Sequence, residues 1–282
     1  MKKILITGAN SYIGTSFEKY IKENYPDDYI VDTVDMVDGS WREKSFAGYD
    51  SVFHVAGIAH RKETKENAHL YYEVNRDLAV DTAKKAKADG AGQFIFLSSM
   101  SVYGMETGVI TKEKAPNPRS HYGKSKWQAE QAIEPLNAED FKVCILRPPM
   151  VYGKGCKGNF QTVVKIVKKL PFFPNIKNER SMVYIDNLSS FVKRCADLEL
   201  RGVYFPQNKA YMSTKDMALW ISEALNKKIY FEYITGLCIR ILRHIHPTVK
   251  KAFGSLIYQN TEDFHFSYAV VNNEKSIDQS IK

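Results

Sequence analysis

Short apolar runs alternate with amphipathic stretches along most of the chain. The runs have the length of strands, and in the stretches between them apolar residues recur at the spacing of one helix face. The predicted strands are 3–7, 29–35, 51–55, 94–97, 142–146, 182–185 and 202–205. The predicted helices are 12–24, 70–88, 120–133, a basic helix ending at 170, 186–197 and 213–225. This alternation predicts an α/β protein with a Rossmann-type, doubly wound parallel sheet that binds ligands where its strands end.

The alternation loosens after Arg147, where 153–158 forms a glycine-rich loop. We expect 1–152 to form an NAD(P)-binding Rossmann domain, with 182–205 returning to its sheet. A small C-terminal substrate lobe would comprise 153–181 and 206–282. Within it, 237–245, followed by Pro247 and Lys250-Lys251, can form either a lid on the substrate or a basic helix at a membrane surface.

Composition limits the class of protein. The apolar run that precedes Gly8 is too short for a signal peptide, and no segment reaches the roughly 20 apolar residues of a membrane span. The four cysteines, Cys144, Cys156, Cys195 and Cys238, form no C-x-x-C pair, which favours a reducing cytoplasm.

The formal net charge of +8 does not by itself choose among nucleic acid, anionic lipid and an anionic small substrate. Basic residues gather in 154–180, where they either receive a phosphate-bearing substrate or form a solvated helix face. These residues are Lys154, Lys157, Lys165, Lys168, Lys169, Lys177 and Arg180.

A glycine loop, 7–14, follows the first predicted strand. Gly8 permits a tight turn, Gly14 permits close packing of helix on strand, and the start of the helix can receive a pyrophosphate. Ser11 stands where the middle glycine is usual, so the strict motif is absent. The loop predicts cofactor contacts at Gly8, Asn10, Ser11, Tyr12, Ile13 and Gly14.

Two further strand ends suit a dinucleotide. Asp35 comes 21 positions after Gly14, near the spacing of the carboxylate that binds the adenosine ribose, which favours NAD over NADP. Val55, Ala56 and Gly57 are small residues at the end of the third strand.

Histidine and asparagine side chains follow in the next segments. Asn75, in the helix 70–88, can hydrogen-bond backbone near the site or belong to a polar helix face. His54, His60 and His69 share no ligand spacing, so we expect no metal.

Tyr122 and Lys126 are four residues apart, so they share one face of the helix 120–133. The Lys126 ammonium can then lower the pKa of the Tyr122 phenol from its usual value of about 10. Ser99, at the end of an earlier strand, would hydrogen-bond the same substrate oxygen. The order of these motifs predicts an acid/base hydride-transfer enzyme, since a glycine loop is followed by Ser-Ser and then by Tyr-x3-Lys.

These motifs resemble the extended short-chain dehydrogenase/reductase family, in particular its nucleotide-sugar epimerase/dehydratase branch and its UDP-glucose 4-epimerase-like members of surface-polysaccharide assembly. The segments that carry the resemblance are 7–14, 53–57, 97–104, 122–126, 147–153 and 180–185. The resemblance extends from Lys3 to about Phe205 and does not include the tail 236–282.

The resemblance implies a role for each matching residue. Tyr122 would transfer the proton, Lys126 would anchor the nicotinamide ribose and lower the phenol pKa, and Ser99 would orient the substrate oxygen. Pro148 would contact the cofactor, besides the glycine loop, Asp35, Val55, Ala56, Gly57, Asn75, Tyr122 and Lys126. The substrate contacts would be Ser99, Ser101, Asn159 and Arg180, the last two on the uridine diphosphate.

The resemblance also narrows the reaction. Dehydratases of the branch carry an acidic pair directly after the hydroxyl residue, whereas this chain has Met100-Ser101. We therefore expect a homodimeric, cytoplasmic NAD-dependent 4-epimerase of a UDP-hexose or UDP-N-acetylhexosamine. The alternatives are a reductase of 4-keto nucleotide sugars and a catalytically idle dinucleotide-binding sensor or scaffold. Neither a nucleic acid nor more than peripheral membrane contact is expected.

Overall fold

The computed structural model describes residues 1–59, 61–245, 249–250, 253–259 and 265–282, with no description of the side chains of Cys238, Arg240 and residues 242–245. The chain folds into two compact units. The first unit comprises Met1–Gly104, Ala115–Pro149 and Ile185–Pro206. The second unit comprises Met105–Lys114, Met150–Tyr184 and Gln207–Lys282.

A six-stranded parallel sheet forms the centre of the first unit. Its strands are β1 (Lys2–Thr7), β2 (Tyr29–Val34), β3 (Ser51–His54), β4 (Gln93–Leu97), β6 (Lys142–Leu146) and β10 (Gly202–Tyr204). Their order across the sheet is β10-β6-β4-β3-β1-β2. The chain passes from β1 to β2 on one side and then to β3 on the other, which creates a switch point between β1 and β3. The predicted doubly wound sheet is confirmed.

Helices separate these strands in the chain. The helices of the first unit are α1 (Tyr12–Asn24), α2 (Ala68–Tyr72), α3 (Leu78–Ala88), α4 (His121–Ile133) and α6 (Ile185–Asp197). A π-helical turn, Glu73–Asp77, joins α2 to α3, so the segment predicted as one helix is helical throughout but changes its winding. Such turns occur mostly at functional sites.

Aromatic and aliphatic side chains fill the space between sheet and helices. Phe17 of α1 packs edge-on against Phe53 of β3, with ring centroids 5.3 Å apart. On the other face, Ala79, Ala83 and Ala86 give α3 a buried stripe of small residues. Because small side chains let the helix approach closely, α3 lies directly against the strands that bear the site.

The second unit contains three two-stranded parallel sheets. Their strands are β5 (Gly108–Ile110) with β12 (Leu256–Tyr258), β7 (Met150–Tyr152) with β9 (Met182–Tyr184), and β8 (Phe172–Pro174) with β11 (Tyr230–Glu232). Its helices are α5 (Asn159–Lys169), α7 (Thr214–Ala224), α8 (Tyr233–Ile245) and α9 (Asn273–Ile281).

The observed boundaries differ from the predicted ones at two places. The strand Met182–Tyr184 pairs with Met150–Tyr152 in the second unit, so the prediction that 182–185 returns to the main sheet is wrong. The rest of the predicted stretch does return, because Ile185–Pro206 belongs to the first unit and Gly202–Tyr204 adds a strand beside β6. The segment Met105–Lys114, predicted in the Rossmann domain, joins the second unit through the pairing of β5 with β12. A short apolar run identifies a strand but not its partner, which explains both differences.

Candidate active site

The loop between β1 and α1 turns sharply at Gly8. Its φ is +113°, and a Cβ added there would lie 2.8 Å from the backbone nitrogen of Ala56. A Cβ at Gly14 would lie 3.1 Å from methyl groups of Ile6 and Val55, so α1 packs closely on β1 and β3. The two glycines therefore have the geometric roles that the sequence predicts.

The start of α1 fits a diphosphate. Ser11 is the N-cap of the helix, and its hydroxyl accepts the Gly14 N–H at 3.1 Å. The side chain of Ser11 thus turns toward the helix, where it stabilises the first turn. No acidic residue occupies that turn, so the positive end of the helix dipole faces no competing carboxylate.

Asp35 follows β2 directly and is exposed. Its Oδ1 accepts the Val37 N–H at 2.8 Å, which fixes the carboxylate beside the strand end. An oriented carboxylate at this place can accept ribose hydroxyl protons, whereas it would repel a 2′-phosphate.

The segment after β3 is fixed by Asn75 from the π-helical turn. The amide of the buried Asn75 accepts the Ile58 N–H at 2.7 Å, donates to the Ile58 carbonyl at 3.1 Å and donates to Ser125 Oγ at 3.3 Å. A Cβ at Gly57 would lie 2.9 Å from Asn75 Oδ1 and 3.4 Å from Lys126 Nζ. Asn75 therefore positions the backbone that follows β3 beside α4. These hydrogen bonds involve both the oxygen and the nitrogen of its side-chain amide.

The N-terminus of α4, which carries Tyr122, is anchored at two points. Ser120 is the N-cap and accepts the Gly123 N–H at 3.0 Å. The carboxylate of Glu63 accepts the N–H groups of His121 at 2.9 Å and of Tyr122 at 3.0 Å. A carboxylate at a helix N-terminus also interacts favourably with the helix dipole. The sequence analysis missed Glu63, because a contact across so long a separation leaves no local pattern.

Three hydroxyl groups meet at the carboxyl end of β4. Ser99 acts on the phenol of Tyr122 by lowering its pKa, and Ser99 Oγ lies 3.2 Å from Ser101 Oγ. The Ser101 N–H donates back to Ser99 Oγ at 3.1 Å, which fixes the Ser99 rotamer. The ring of Tyr71 packs edge-on against that of Tyr122, with centroids 6.5 Å apart. The structure thus brings Ser99, Ser101 and Tyr122 together, as the sequence predicts.

The electrostatics of Tyr122 differ from the prediction. Burial raises the pKa of the phenol above its usual value, and the hydrogen bond from Ser99 offsets part of that rise. Lys126 is not among the groups that lower the pKa of the Tyr122 phenol. Its ammonium instead donates to the Leu97 carbonyl at 2.8 Å and lies 4.7 Å from the centre of the Phe96 ring. The prediction that Lys126 lowers the Tyr122 pKa is therefore wrong for this arrangement, in which Ser99 provides the lowering.

Lys126 is a buried cation. Burial lowers its pKa from 10.5 to about 8, while the nearby Glu130 acts in the opposite direction. At neutral pH the side chain still carries its proton for most of the time. It can therefore donate hydrogen bonds to ribose hydroxyls, as the ribose anchor requires.

Below Lys126, Glu130 holds three chain segments together. Arg147 Nε donates to Glu130 Oε2 at 3.0 Å, and Ser98 Oγ donates to Glu130 Oε1. Arg147 Nη1 also donates to Tyr103 Oη at 2.8 Å. Next to Arg147, the Pro148 carbonyl accepts the Met100 N–H at 2.9 Å. These bonds fix the turn that carries Ser99 relative to α4.

The histidine side chains give no metal site among the residues that the structure describes. His54 is buried, its Nδ1 lies 2.7 Å from Thr7 Oγ1, and its ring stacks against Phe94 and Phe96. Burial, with Lys126 nearby, lowers its pKa to about 3, so His54 is a neutral core residue. His60 lies outside the described residues, as do Pro247 and Lys251.

The two predicted diphosphate contacts lie in the second unit. Asn159 is the first residue of α5. Arg180 bridges Met212 and Leu256, and its Nη1 donates to the Gly254 carbonyl at 2.8 Å. Their role toward the substrate stays a prediction.

The site and the fold together are those of a dinucleotide-dependent oxidoreductase, as shown by the strand order, the glycine loop and the Ser99–Tyr122 pair. Comparison with known proteins indicates the same class. Residues 4–203 match the NAD dependent epimerase/dehydratase family. The chain belongs to this family, and its cofactor is NAD.

Two curated relatives and one solved structure illustrate the similarity. The chain is 33% identical to a UDP-glucose 4-epimerase of Vibrio cholerae over 80% of this chain and 76% of the relative. It is 27% identical to N-acetyl-alpha-D-glucosaminyl-diphospho-ditrans,octacis-undecaprenol 4-epimerase of Escherichia coli O157:H7 over 86% of this chain and 80% of the relative. The fold resembles UDP-glucuronic acid 4-epimerase of Bacillus cereus in complex with NAD, with TM-score 0.75, 19% identity and coverage of 99% and 95% of the two chains.

Replacing Lys126 by Met should change how stability depends on pH. The pKa of Lys126 is about 8 in the folded chain against 10.5 ordinarily, so between these values the unfolded chain binds the extra proton. The free energy of unfolding of the wild type should therefore rise with pH from about 8 to about 10.5 relative to Lys126→Met. Urea titrations across this window measure the difference. Lys124→Met, at an exposed position of the same helix, should run parallel to the wild type, and a parallel Lys126→Met curve would contradict the prediction.

Replacing Glu63 by Ala should loosen the start of α4, because it removes the acceptor for two N–H groups. We expect a loss of about 1–2 kcal/mol in the free energy of unfolding, as for other helix caps, together with reduced turnover through displacement of Tyr122. Denaturant titration and steady-state assays measure the two effects. The exposed Glu66→Ala is the control, and equal stability of both variants would refute the capping role.

Replacing Asp35 by Ala should weaken NAD more than NADP. A lost hydrogen bond to a charged group corresponds to about ten- to a hundredfold in Kd for NAD, whereas removal of a like charge favours the 2′-phosphate of NADP. Fluorescence titration with both dinucleotides measures this. The neighbouring exposed Asp38→Ala should behave as the wild type. An unchanged ratio of the two Kd values in Asp35→Ala would contradict ribose binding by Asp35.

Proposed function

We propose that this protein is a UDP-sugar 4-epimerase that acts on a UDP-hexose or a UDP-N-acetylhexosamine. The observation that carries the proposal is that Ser99 and Ser101, which follow β4, meet Tyr122 of α4 in the unit that contains the glycine loop. The family membership and the relative from Vibrio cholerae, named for the same reaction, support it.

The site residues divide the work at C4. Tyr122 takes the proton of the 4-hydroxyl while Ser99 hydrogen-bonds the same oxygen. NAD, when bound, would supply the chemistry that accepts a hydride from C4 and gives it back to the resulting ketone. Tyr122 then gives its proton back to the C4 oxygen. The cycle conserves atoms and electrons, so it consumes no cofactor.

The raised pKa of Tyr122 suits the half of the cycle in which the ketone is reduced and its oxygen is protonated. Because burial raises it, the phenol is protonated at neutral pH, which is the form that protonates the C4 oxygen. In the other half, the Ser99 hydroxyl stabilises the phenolate. The rigid support of Ser99 by Ser101 keeps this donor in place without reorganisation.

Asn159 and Arg180 would bind the diphosphate of the substrate. Arg180 lies in a stretch, 154–180, that also contains six lysines, which suits an anionic ligand. Met100-Ser101 supplies no carboxylic acid for removal of water, which argues against a dehydratase.

A second candidate substrate is a sugar joined through diphosphate to a polyprenol, as named for the relative from Escherichia coli. The observation that favours it is the exposed apolar surface around α8, where Tyr233, Ile234 and Leu237 face solvent. The same three residues, Ser99, Tyr122 and Lys126, would serve both substrates.

Assembly and compartment complete the proposal. We expect a homodimer in which α3 and α4 pair across a two-fold axis. No described helix is long and apolar enough to cross a membrane. Cys144, Cys156 and Cys195 are free and buried, which fits the cytoplasm.

Replacing Tyr122 by Phe tests the proposal. The variant should lose at least about a hundredfold in turnover between UDP-glucose and UDP-galactose, or their N-acetyl forms, because it cannot move the proton. NAD binding should stay within about twofold, since the ring remains. Tyr49→Phe, at a phenol bonded to Asp32, should keep full turnover.

Two outcomes would overturn the proposal. Net consumption of reduced cofactor with a 4-keto nucleotide sugar, without interconversion of epimers, would identify a reductase. NAD binding without turnover of any of these sugars would favour the sensor or scaffold.

A further inference from the structure

Exposed apolar side chains are concentrated in one part of the second unit. Among the described residues, 13 large hydrophobic side chains are exposed; eight of them lie between residues 170 and 241, and seven of these eight belong to the second unit. We call these seven the apolar face: Leu170, Phe172, Tyr230, Tyr233, Ile234, Leu237 and Ile241. A concentration of this kind marks a surface that contacts another apolar medium.

The elements that carry the apolar face adjoin one another. β8 pairs with β11 in register, so that Phe172 stands beside Tyr230 with ring centroids 6.0 Å apart. The alternate residues of these strands, Phe173 and Phe231, stack edge-on at 6.4 Å, and Phe173 is buried in the unit. The two-stranded sheet therefore has one inward and one outward aromatic layer.

α8 continues the apolar face directly after β11. A Cβ at the buried Gly236 would lie 2.7 Å from the Asn175 carbonyl, so the helix is pressed against the chain that follows β8. Tyr233, Ile234, Leu237 and Ile241 fall within a stripe about 100° wide on the helix. Tyr233 is 80% exposed and Ile234 is 79% exposed, so the described residues of the second unit leave both side chains largely uncovered.

Positive charge surrounds the apolar face. Residues 161–178, which include β8, contain four lysines and no acidic residue. Lys168 and Lys169 are exposed directly before Leu170, and Lys228 is exposed two positions before Tyr230. Acidic side chains in the adjoining elements are Glu179 and Glu232, together with Asp216 and the exposed Glu223 of α7, which packs against α5 and β8. The surface thus combines aromatic and aliphatic residues with a rim of lysines.

We propose that the apolar face and its lysines dock on the surface of an anionic phospholipid bilayer. Tyr and Phe side chains prefer the boundary between headgroups and acyl chains, and lysines near the surface are attracted by acidic lipids. A second copy of this chain is a poorer partner for the apolar face. In a two-fold contact the lysines of one copy would face the same lysines of the other copy, and like charges repel. The helix lies on the membrane and does not span it.

Vesicle sedimentation tests the proposal without substrate or cofactor, so its outcome is independent of the proposed function. The full chain should sediment with vesicles of phosphatidylcholine and phosphatidylglycerol at low salt, and much less with phosphatidylcholine alone. The variant Tyr233→Ser/Ile234→Ser/Leu237→Ser should lose about tenfold or more in lipid affinity. Lys168→Glu/Lys169→Glu should lose binding to the anionic vesicles to a similar degree.

Matched controls keep the test falsifiable. Val270→Ser removes an exposed apolar side chain elsewhere in the second unit, and Lys112→Glu/Lys114→Glu makes the same charge change at other exposed lysines of that unit. Both should bind vesicles like the wild type, and circular dichroism should show all variants folded.

Three results would overturn the proposal. The first is that the wild type does not sediment with anionic vesicles at low salt. The second is that the controls lose binding as strongly as the test variants. The third is that the triple variant changes only the oligomeric state in sedimentation velocity, which would assign the face to a second copy, or only the KM for the nucleotide sugar, which would assign it to a lid.

Discussion

The buried ion pair between Glu130 and Arg147 is the interaction on which the site depends. Glu130 is on α4, one turn beyond Lys126 and two beyond Tyr122, and Arg147 follows β6. Because Glu130 also accepts from Ser98, the pair joins α4, β4 and β6 at their functional ends. Removing one partner of such a pair costs about 3–5 kcal/mol, since the other charge stays buried. This ion pair thus fixes the Ser99 hydroxyl, the Tyr122 phenol and the Lys126 ammonium relative to one another.

The parallel sheet supplies the other constraint, because all of its strands end at one edge. The glycine loop after β1, Asp35 after β2 and Gly57 after β3 lie on the side of the switch point, where the proposed dinucleotide site is, while Ser99 follows β4. Two parts of the site lie outside the sheet. Glu63 fixes the start of α4, and Asn75 fixes the loop after β3. Cofactor binding and proton transfer are therefore properties of one folded unit.

The sequence predicts the strands and helices of the first unit well, because each has a clear period, Gly8 begins the turn directly after β1 and Ser120 is the N-cap of α4. It predicts the meeting of Ser99 with Tyr122 through chain order alone. It does not predict Glu63 or the partner of β9, which depend on contacts between distant segments. Nor does it predict the sign of the Tyr122 pKa shift, since burial outweighs the neighbours that a linear motif shows.

In the proposed epimerisation, C4 is oxidised and then reduced again by a hydride that never exchanges with water. Epimerisation of UDP-galactose labelled with deuterium at C4, with the product analysed by mass spectrometry, measures this directly. We expect UDP-glucose that keeps its deuterium at C4, because the same hydride returns to the carbon it left. Loss of the label to solvent during epimerisation would contradict hydride transfer at C4 and the function built on it.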